Sequence, residues 1–312
     1  MLRIEKSELD SLPSLLVEEK IVGVSDAYFD VDEGFEAMCR LIRHGIVGWS
    51  NPNQPPSVAV YPEKNGDHIY SEGLGREKDP VFVANKNWHA DANGNEHNIA
   101  YIGMSMVHYD CPEPDKGQTL FVDLQSLYER CPYKDYVEDL WIKHVVFNCD
   151  QGVDINVHPL LRTHPLTGVT GFHMNSRAMR PEESPTLTPD TPQSEQYNGT
   201  PPEFQELMNW MWGEIENQDN WIWWRWNEGD FLVWDNRCFI HSFTGGWDVG
   251  DRIFHRFPIG MEKPVYKPTT PVGVSLFDAY DGPITKWFNE DPESSREIHD
   301  QASNKPDTVI AT

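Results

Sequence analysis

Residues 221–226, 230–234, 239–242 and 253–259 are four short apolar runs, rich in aromatic and β-branched side chains and separated by Gly, Asn and Asp. Runs this brief fall short of an ordinary helix but suit strands, so the C-terminal part of the chain must pair strand against strand. The same reading predicts a buried strand over residues 99–107, bounded by turn residues at 112–117. Further strands are expected at 46–49, from 120–122 and at 145–147. Many short strands with helices outside them predict a β-sandwich or jelly roll.

The helices announce themselves by spacing and caps. Phe35, Met38, Cys39 and Ile42 share one helical face, and Gly45 is placed to end that helix. Asp123 can cap a helix containing Leu124, Leu127 and Tyr128 that stops before Pro132. A second amphipathic stretch, 136–141, leads into the strand at 145–147. Thr200-Pro-Pro-Glu203 has capping-box spacing and opens a helix running to about Glu216. Residues 51–80 have no sustained period and are expected to form a long loop. Residues 176–202, crowded with Pro, Ser, Thr and Glu, are expected to form an exposed insertion or lid. No repeat or composition break divides the chain, so residues 1–312 are read as one domain.

Lys plus Arg number 25 and Asp plus Glu 50, a formal charge of −25 that repels nucleic acids and anionic membrane surfaces. The Trp-rich run at 221–226 is therefore read as core packing and not as a base-stacking platform. The same field does not attract small anions, so an acidic substrate needs local arginines in its pocket. The five cysteines are scattered and form no CxxC pair, which fits a reduced compartment. No segment approaches the roughly 20 apolar residues of a membrane span, and no signal-peptide stretch opens the chain. The expectation is a soluble cytoplasmic protein; homo-oligomerisation is left open.

Asn87-Trp88-His89-Ala90-Asp91 holds a His-x-Asp triplet, and on an extended chain residues i and i+2 face the same way. Alone this is a weak signal, since a solvated His and Asp look identical. A second segment, running from Gly229 to His241, presents another histidine after a strand, a polar turn and a strand. Two histidines and one carboxylate leave coordination positions open, which suits iron(II); a structural zinc site is normally closed by four protein ligands.

These residues resemble a known family. NWHAD, Thr119 within KGQTLF, WDNRCFIH and the run from Asp251 to Arg256 are similar, in order, to the successive motifs of the taurine dioxygenase family of Fe(II)/2-oxoglutarate-dependent oxygenases. The block HPLLRTHPLTG at 158–168 is similar to a stretch that this family carries between its metal segments. The resemblance covers roughly residues 85–260. It implies a mainly β fold with peripheral helices around a double-stranded β-helix core (jelly roll, cupin-like).

It also implies roles. His89, Asp91 and His241 match the iron ligands, and Thr119 and Arg252 match the pair that holds the distal carboxylate of 2-oxoglutarate. Arg256 matches a position that contacts an acidic substrate group or lies beside the cosubstrate, and Asn85, less closely, matches a substrate-contacting position. Arg252 and Arg256, at i and i+4 of a strand, share one face and need an anionic partner if buried. The implied cofactor and cosubstrates are Fe(II), 2-oxoglutarate and O₂. The implied reaction is hydroxylation of an unactivated C–H bond in a small-molecule substrate, an acid or amino-acid derivative. Desaturation or ring closure by the same oxidant, and a catalytically silent iron- and 2-oxoglutarate-binding protein, are the alternatives. His68 and Tyr70 do not match the spacing of taurine-contacting residues, so taurine is not implied. Asp91 is intact, which disfavours halogenation.

Of the other histidines, His108 is a candidate to line the cavity, and His158 and His164 are read as structural. His44, His68, His97, His144 and His299 are read as surface or satisfied core residues. Asp235 and Arg237 are expected to pair at the turn before His241.

Overall fold

The computed structural model describes residues 1–47, 88–111, 113–148, 152–175, 179–187, 195–245, 247 and 251–267. The chain opens with β1 (Leu2–Glu5), α1 (Leu12–Glu19), β2 (Ile21–Ser25) and α2 (Val31–Arg43). Asp30 caps α2 by accepting from the Glu33 N–H at 2.8 Å, and the Glu33 carboxylate accepts from the Asp30 N–H in return. Met38, Cys39 and Ile42 are buried by the periodicity that predicted them, and Gly45 supplies a φ of 68° just past the helix end.

There follow β3 (Asn98–Tyr109), β4 (Thr119–Asp123), α3 (Leu124–Glu129), α4 (Lys134–Val137), β5 (Trp141–Asn148) and β6 (Gly152–Pro159). The remainder comprises β7 (Leu161–Thr163), β8 (Thr170–Phe172), β9 (Met179–Pro181), α5 (Pro202–Glu216), β10 (Ile222–Trp224), β11 (Phe231–Asp235), β12 (Phe239–Phe243) and β13 (Arg252–Glu262). A five-stranded sheet runs β1-β2-β11-β3-β13, and a three-stranded sheet runs β10-β4-β12.

Side-chain alternation builds a jelly-roll core between these sheets. Leu232 and Trp234 of β11, Met104 and Met106 of β3, Phe121 of β4 and Phe239 of β12 share one buried cluster. The opposite face of β11, Phe231 and Val233, packs with the buried residues of α1 and α2. Leu120, Val122 and Ile240 on the outer face of the small sheet pack with α5. The register of β3 against β13 slips once, between Ile253 and Phe254, leaving Val107 as the extra residue on β3. β13 itself keeps alternating, so Arg252, Phe254 and Arg256 stay on one face.

Several expectations are corrected. Ile46 and Val47 are irregular, and the rest of the 46–49 run lies outside the described residues. Of 136–141, only the start is helical, because Trp141 already opens β5. The Thr200 capping box does not form: Pro201 takes the cap position, and the Thr200 hydroxyl turns back to the Tyr197 carbonyl at 2.7 Å. The 51–80 loop lies outside the described residues. Within 176–202, the described part is anchored as well as exposed: β9 pairs with β5, and Met179, Arg180, Ser184 and Leu187 are buried, while Glu182, Glu183, Pro185 and Thr186 face solvent.

Candidate metal and carboxylate site

His89 and His241 are joined by a β-bridge, each amide N–H donating to the other's carbonyl at 2.9 and 2.7 Å. This bridge fastens the His-x-Asp segment to β12, although the two are far apart in sequence. His89 Nε2 lies 3.5 Å from Asp91 Oδ1, and His241 Nε2 lies 3.8 Å from Asp91 Oδ2. One ligand atom from each of the three falls within a mutual 4.8 Å. The imidazole centroids stand 4.3 Å apart, close to the roughly 4.5 Å of two rings meeting an octahedral ion at a right angle. Asp91 and His241 are buried while His89 is partly open, so the site has a solvent side.

The electrostatics prepare these groups for a cation. Burial opposes ionisation of Asp91, but the Arg256 guanidinium and the two imidazoles outweigh it and hold the carboxyl well below the usual range. Burial, with the neighbouring His89 and Arg256 adding to it, pushes His241 down to about 3. His241 therefore keeps a free lone pair at neutral pH.

Asn236 was missed by sequence reasoning. Fully buried in the turn between β11 and β12, it accepts from the Asp91 N–H at 3.1 Å and donates to the Asp91 carbonyl at 2.9 Å and the Ile99 carbonyl at 3.0 Å. It thus holds the backbone of Asp91 on both sides. The flanking Asp235 and Arg237 do pair, at 2.6 Å, and Arg237 reaches Glu262 at 2.9 Å while His164 meets Asp235 at 2.9 Å. His164, Asp235 and Cys238 also bring ligand atoms close together. That trio is spoken for: Asp235 is occupied by Arg237 and His164, and burial raises the Cys238 thiol far above the thiolate range.

Thr119, inward-facing on β4, accepts from Arg252 Nη2 at 3.2 Å and from Trp226 Nε1 at 2.9 Å. With two donors on its oxygen, the hydroxyl's own proton is left to donate elsewhere. Arg252 is buried under Trp247 and Phe254, whose ring centroids lie 5.4 and 4.9 Å from its Cζ, and its Nε has no hydrogen-bond partner among the described residues. Burial lowers it to about 10, and the ionisable neighbours that act on it are Cys111 and Tyr109, not carboxylates. Burial also raises the Cys111 thiol, and raises the Tyr109 phenol far above its ordinary range, so both are neutral at pH 7. A buried guanidinium beside a free hydroxyl proton, with no acid of its own among the described residues, has the chemistry to receive a carboxylate.

Arg256 lies on the same face of β13 and makes an ion pair with Asp91. Asn85 lies outside the described residues. His108 does not line the cavity; it is exposed and faces Glu228 at 2.8 Å. His144 is no satisfied core residue, since neither of its ring nitrogens has a partner among the described residues. Cys111, Cys131 and Cys238 are free thiols, and no described helix is long and apolar enough to cross a membrane.

A family model described as "Taurine catabolism dioxygenase TauD, TfdA family" matches residues 4–257. Among curated proteins, the chain is 28% identical to "Alpha-ketoglutarate-dependent dioxygenase oryG" of Aspergillus oryzae, over 51% of this chain and 50% of that protein. It is 24% identical to the alpha-ketoglutarate-dependent 2,4-dichlorophenoxyacetate dioxygenase of Cupriavidus pinatubonensis, over 62% of this chain and 68% of that one. The chain thus spans about half to two thirds of the length of the curated relatives it matches. Among solved structures, AAD-2 in complex with Mn(II) and N-oxalylglycine aligns with a TM-score of 0.58 at 16% identity, covering 84% of this chain and 91% of that one. A taurine dioxygenase from Burkholderia xenovorans aligns with a TM-score of 0.56 at 18% identity, covering 85% of each chain. At such identities these likenesses establish the shared fold.

Proposed function

Because the chain belongs to the TauD, TfdA family, we propose that it is an Fe(II)/2-oxoglutarate-dependent oxygenase that hydroxylates an unactivated C–H bond of a small, carboxylate-bearing substrate. The observation that carries this reading is Arg252, buried without an acid among the described residues and joined to Thr119 on the inner face that also bears His241. A metal trio alone fits many enzymes. A metal trio with a carboxylate receptor beside it fits a metal whose partner is a keto diacid.

His89 and His241 offer nitrogen and Asp91 oxygen, a donor set suited to iron(II) that leaves positions free on one side. Held by these three residues, iron with 2-oxoglutarate and O₂ would supply the oxidising chemistry, with the keto acid converted to succinate and CO₂. The chain's own residues bind and orient. Arg252 and the Thr119 hydroxyl grip the distal carboxylate, Trp226 fixes the threonine rotamer, and Trp247 and Phe254 keep water from the guanidinium.

Charge supports an acidic substrate. Among the described residues, a dication and two arginines against the carboxylate of Asp91 leave three positive charges, of which a keto diacid cancels two. One positive charge remains, and Arg256 is the group able to present it to a substrate carboxylate. Local arginines thereby overcome the repulsion of the chain's formal charge of −25.

Incubation with Fe(II), 2-oxoglutarate, O₂ and a panel of small carboxylic and amino acids, read by mass spectrometry, should give succinate and a product heavier by one oxygen. Arg252→Gln should weaken 2-oxoglutarate binding by roughly 10-fold to 100-fold, the loss of a charge-assisted bond. Arg256→Ala should spare 2-oxoglutarate binding while raising the substrate KM. Protein that binds 2-oxoglutarate yet forms no succinate under any condition, even uncoupled from substrate, would return the chain to the silent-binder alternative.

A further inference from the structure

Three histidines outside the site just described lie against one another. His144 on β5, His158 on β6 and His173 just after β8 have relative exposures of 0%, 2% and 1%. Their ring centroids form a triangle with sides of 4.9, 5.1 and 5.5 Å. Among the described ring contacts and ion pairs none joins these three to Asp91 or His241, and none of them takes part in the proposed oxidation.

Their hydrogen bonding is incomplete. A neutral imidazole carries one N–H and one lone pair, both of which need partners when buried. Among the described residues neither nitrogen of His144 nor of His173 has one. The Pro159 carbonyl approaches His173 without meeting hydrogen-bond geometry. His158 differs: its Nε2 lies 2.8 Å from the Asn95 carbonyl, leaving Nδ1 as its remaining donor or ligand atom. Metal-bound histidines characteristically give their second nitrogen to such a carbonyl, which fixes the tautomer and orients the ring.

The spacing has a physical meaning. A nitrogen about 2.0–2.1 Å from a zinc-like ion sets its ring centroid about 3.2 Å from that ion, and tetrahedral angles then separate the centroids by about 5.2 Å. The observed sides bracket that value, whereas the 4.3 Å of His89 and His241 suits a right angle. The three sets of ring nitrogens do not yet converge within coordination range. Closure requires rings to turn about the Cβ–Cγ bond, and among the described residues His144 has no hydrogen bond to break in doing so and His173 only the loose approach of the Pro159 carbonyl.

We propose that His144, His158 and His173 form a second, all-nitrogen site for a divalent transition ion of the zinc class. Neutral imidazoles without a carboxylate suit zinc, cobalt, nickel or copper and not calcium or magnesium. The nearby cations have carboxylate partners, Arg162 at 3.4 Å from Glu262, which it shares with Arg237, and Lys263 at 3.6 Å from Glu96. Burial holds all three histidines below the free imidazole value, so protons do not compete for the lone pairs at neutral pH.

The site stands behind the loop that follows Asp91. Besides the Asn95 contact of His158, Asn156 donates to the Gly94 carbonyl at 2.9 Å and Asn93 donates to the Met174 carbonyl at 2.9 Å. An ion held by β5, β6 and the segment after β8 would brace that loop, and through it the first metal segment.

The test uses the full chain with the first site disabled, as His89→Ala with Asp91→Ala and His241→Ala. Stripped of metal and titrated with cobalt(II), this protein should bind one equivalent and develop the intense visible bands of four-coordinate cobalt, which zinc then bleaches. Zinc should also raise its melting temperature. Adding His144→Leu and His173→Leu should weaken cobalt binding beyond the roughly 100-fold that loss of a supporting residue would cause. The proposal is overturned if the parent variant takes up no cobalt and its melting is unmoved by zinc, which would leave a buried water cluster as the account. It is overturned equally if uptake survives the two leucines. Should the leucine variant fail to fold, His158→Gln in the same background must abolish the bands.

Discussion

Replacing Asn236 by Ala should damage the metal site without touching a metal-binding atom. The side chain makes three buried hydrogen bonds to backbone, two of them to Asp91 itself. Alanine would strand one N–H and two carbonyls in a region that water does not reach. At about 1–3 kcal/mol for each buried group left unsatisfied, and with the carbonyls partly relaxing, the expected loss is about 3–6 kcal/mol of stability. Urea unfolding followed by tryptophan fluorescence would read this as a lower midpoint with an unchanged slope. Because Asp91 loses its backbone anchor, Mn(II) affinity measured in the folded fraction should fall roughly 10-fold to 100-fold, as for other orienting residues around metals. Asn236→Asp keeps the acceptor for the Asp91 N–H but turns a buried carboxylate toward two carbonyls, and should lose at least as much stability as alanine. If Asn236→Ala unfolds within about 1 kcal/mol of the parent and binds Mn(II) equally well, the turn does not position Asp91 and the reasoning fails.

Trp226→Phe removes the indole N–H that meets Thr119 at 2.9 Å; calorimetric titration in the presence of Mn(II) should show 2-oxoglutarate binding weakened by up to about tenfold, the worth of one hydrogen bond, with metal affinity unchanged. Metal-free protein should lose stability in acid well before its carboxylates titrate: burial lowers His144 and His241 from 6.5 to about 3, so below pH 6.5 the unfolded chain takes up protons that the folded one refuses, until pH falls to about 3. Each contributes a slope of about 1.4 kcal/mol per pH unit, about 4 kcal/mol for the pair at pH 5, and a denaturation midpoint flat between pH 7 and pH 5 would contradict it.

How far the site could be read from sequence depended on whether its logic was local. His89 and Asp91 are two apart, and His241, Arg252 and Arg256 sit on strands, so alternation and motif order were enough to select them. The helix of Phe35 and Ile42 was equally legible, since its period and its stop signal lie within a dozen residues. Asn236 was invisible because its partners are 145 and 137 residues away and are backbone groups, which leave no mark on residue type. Trp226 was assigned to the core, correctly by burial, but its N–H found a threonine across the small sheet. His144 and His158 looked unremarkable because their contact with His173 arises from sheet pairing and a loop return, not from spacing. The packing of the 176–202 segment was missed for a different reason: a Pro- and Ser-rich composition reports low intrinsic order, while β9 is held by an edge that β5 provides.

The turn at 235–238 joins these observations. Asp235 and Arg237 are buried, and a buried ion pair is weak evidence for stability, because desolvation offsets much of its attraction. Its value here lies in position. Arg237 is held from two sides, by Asp235 and by Glu262 at the end of β13, while His164 holds Asp235 from the block at 158–168. Between those two anchored residues sits Asn236, which holds Asp91, and four residues beyond Arg237 comes His241, whose backbone holds His89. Both metal segments are therefore referenced to one turn, and that turn is referenced to the far end of the strand carrying Arg252 and Arg256. Glu262→Gln tests the linkage. It weakens the hold on Arg237 without approaching the metal or the carboxylate receptor, so it should lower Mn(II) affinity several-fold while leaving Arg252 and Thr119 able to bind an anion. Unchanged metal affinity in that variant would confine the ion network to stability and detach it from the site.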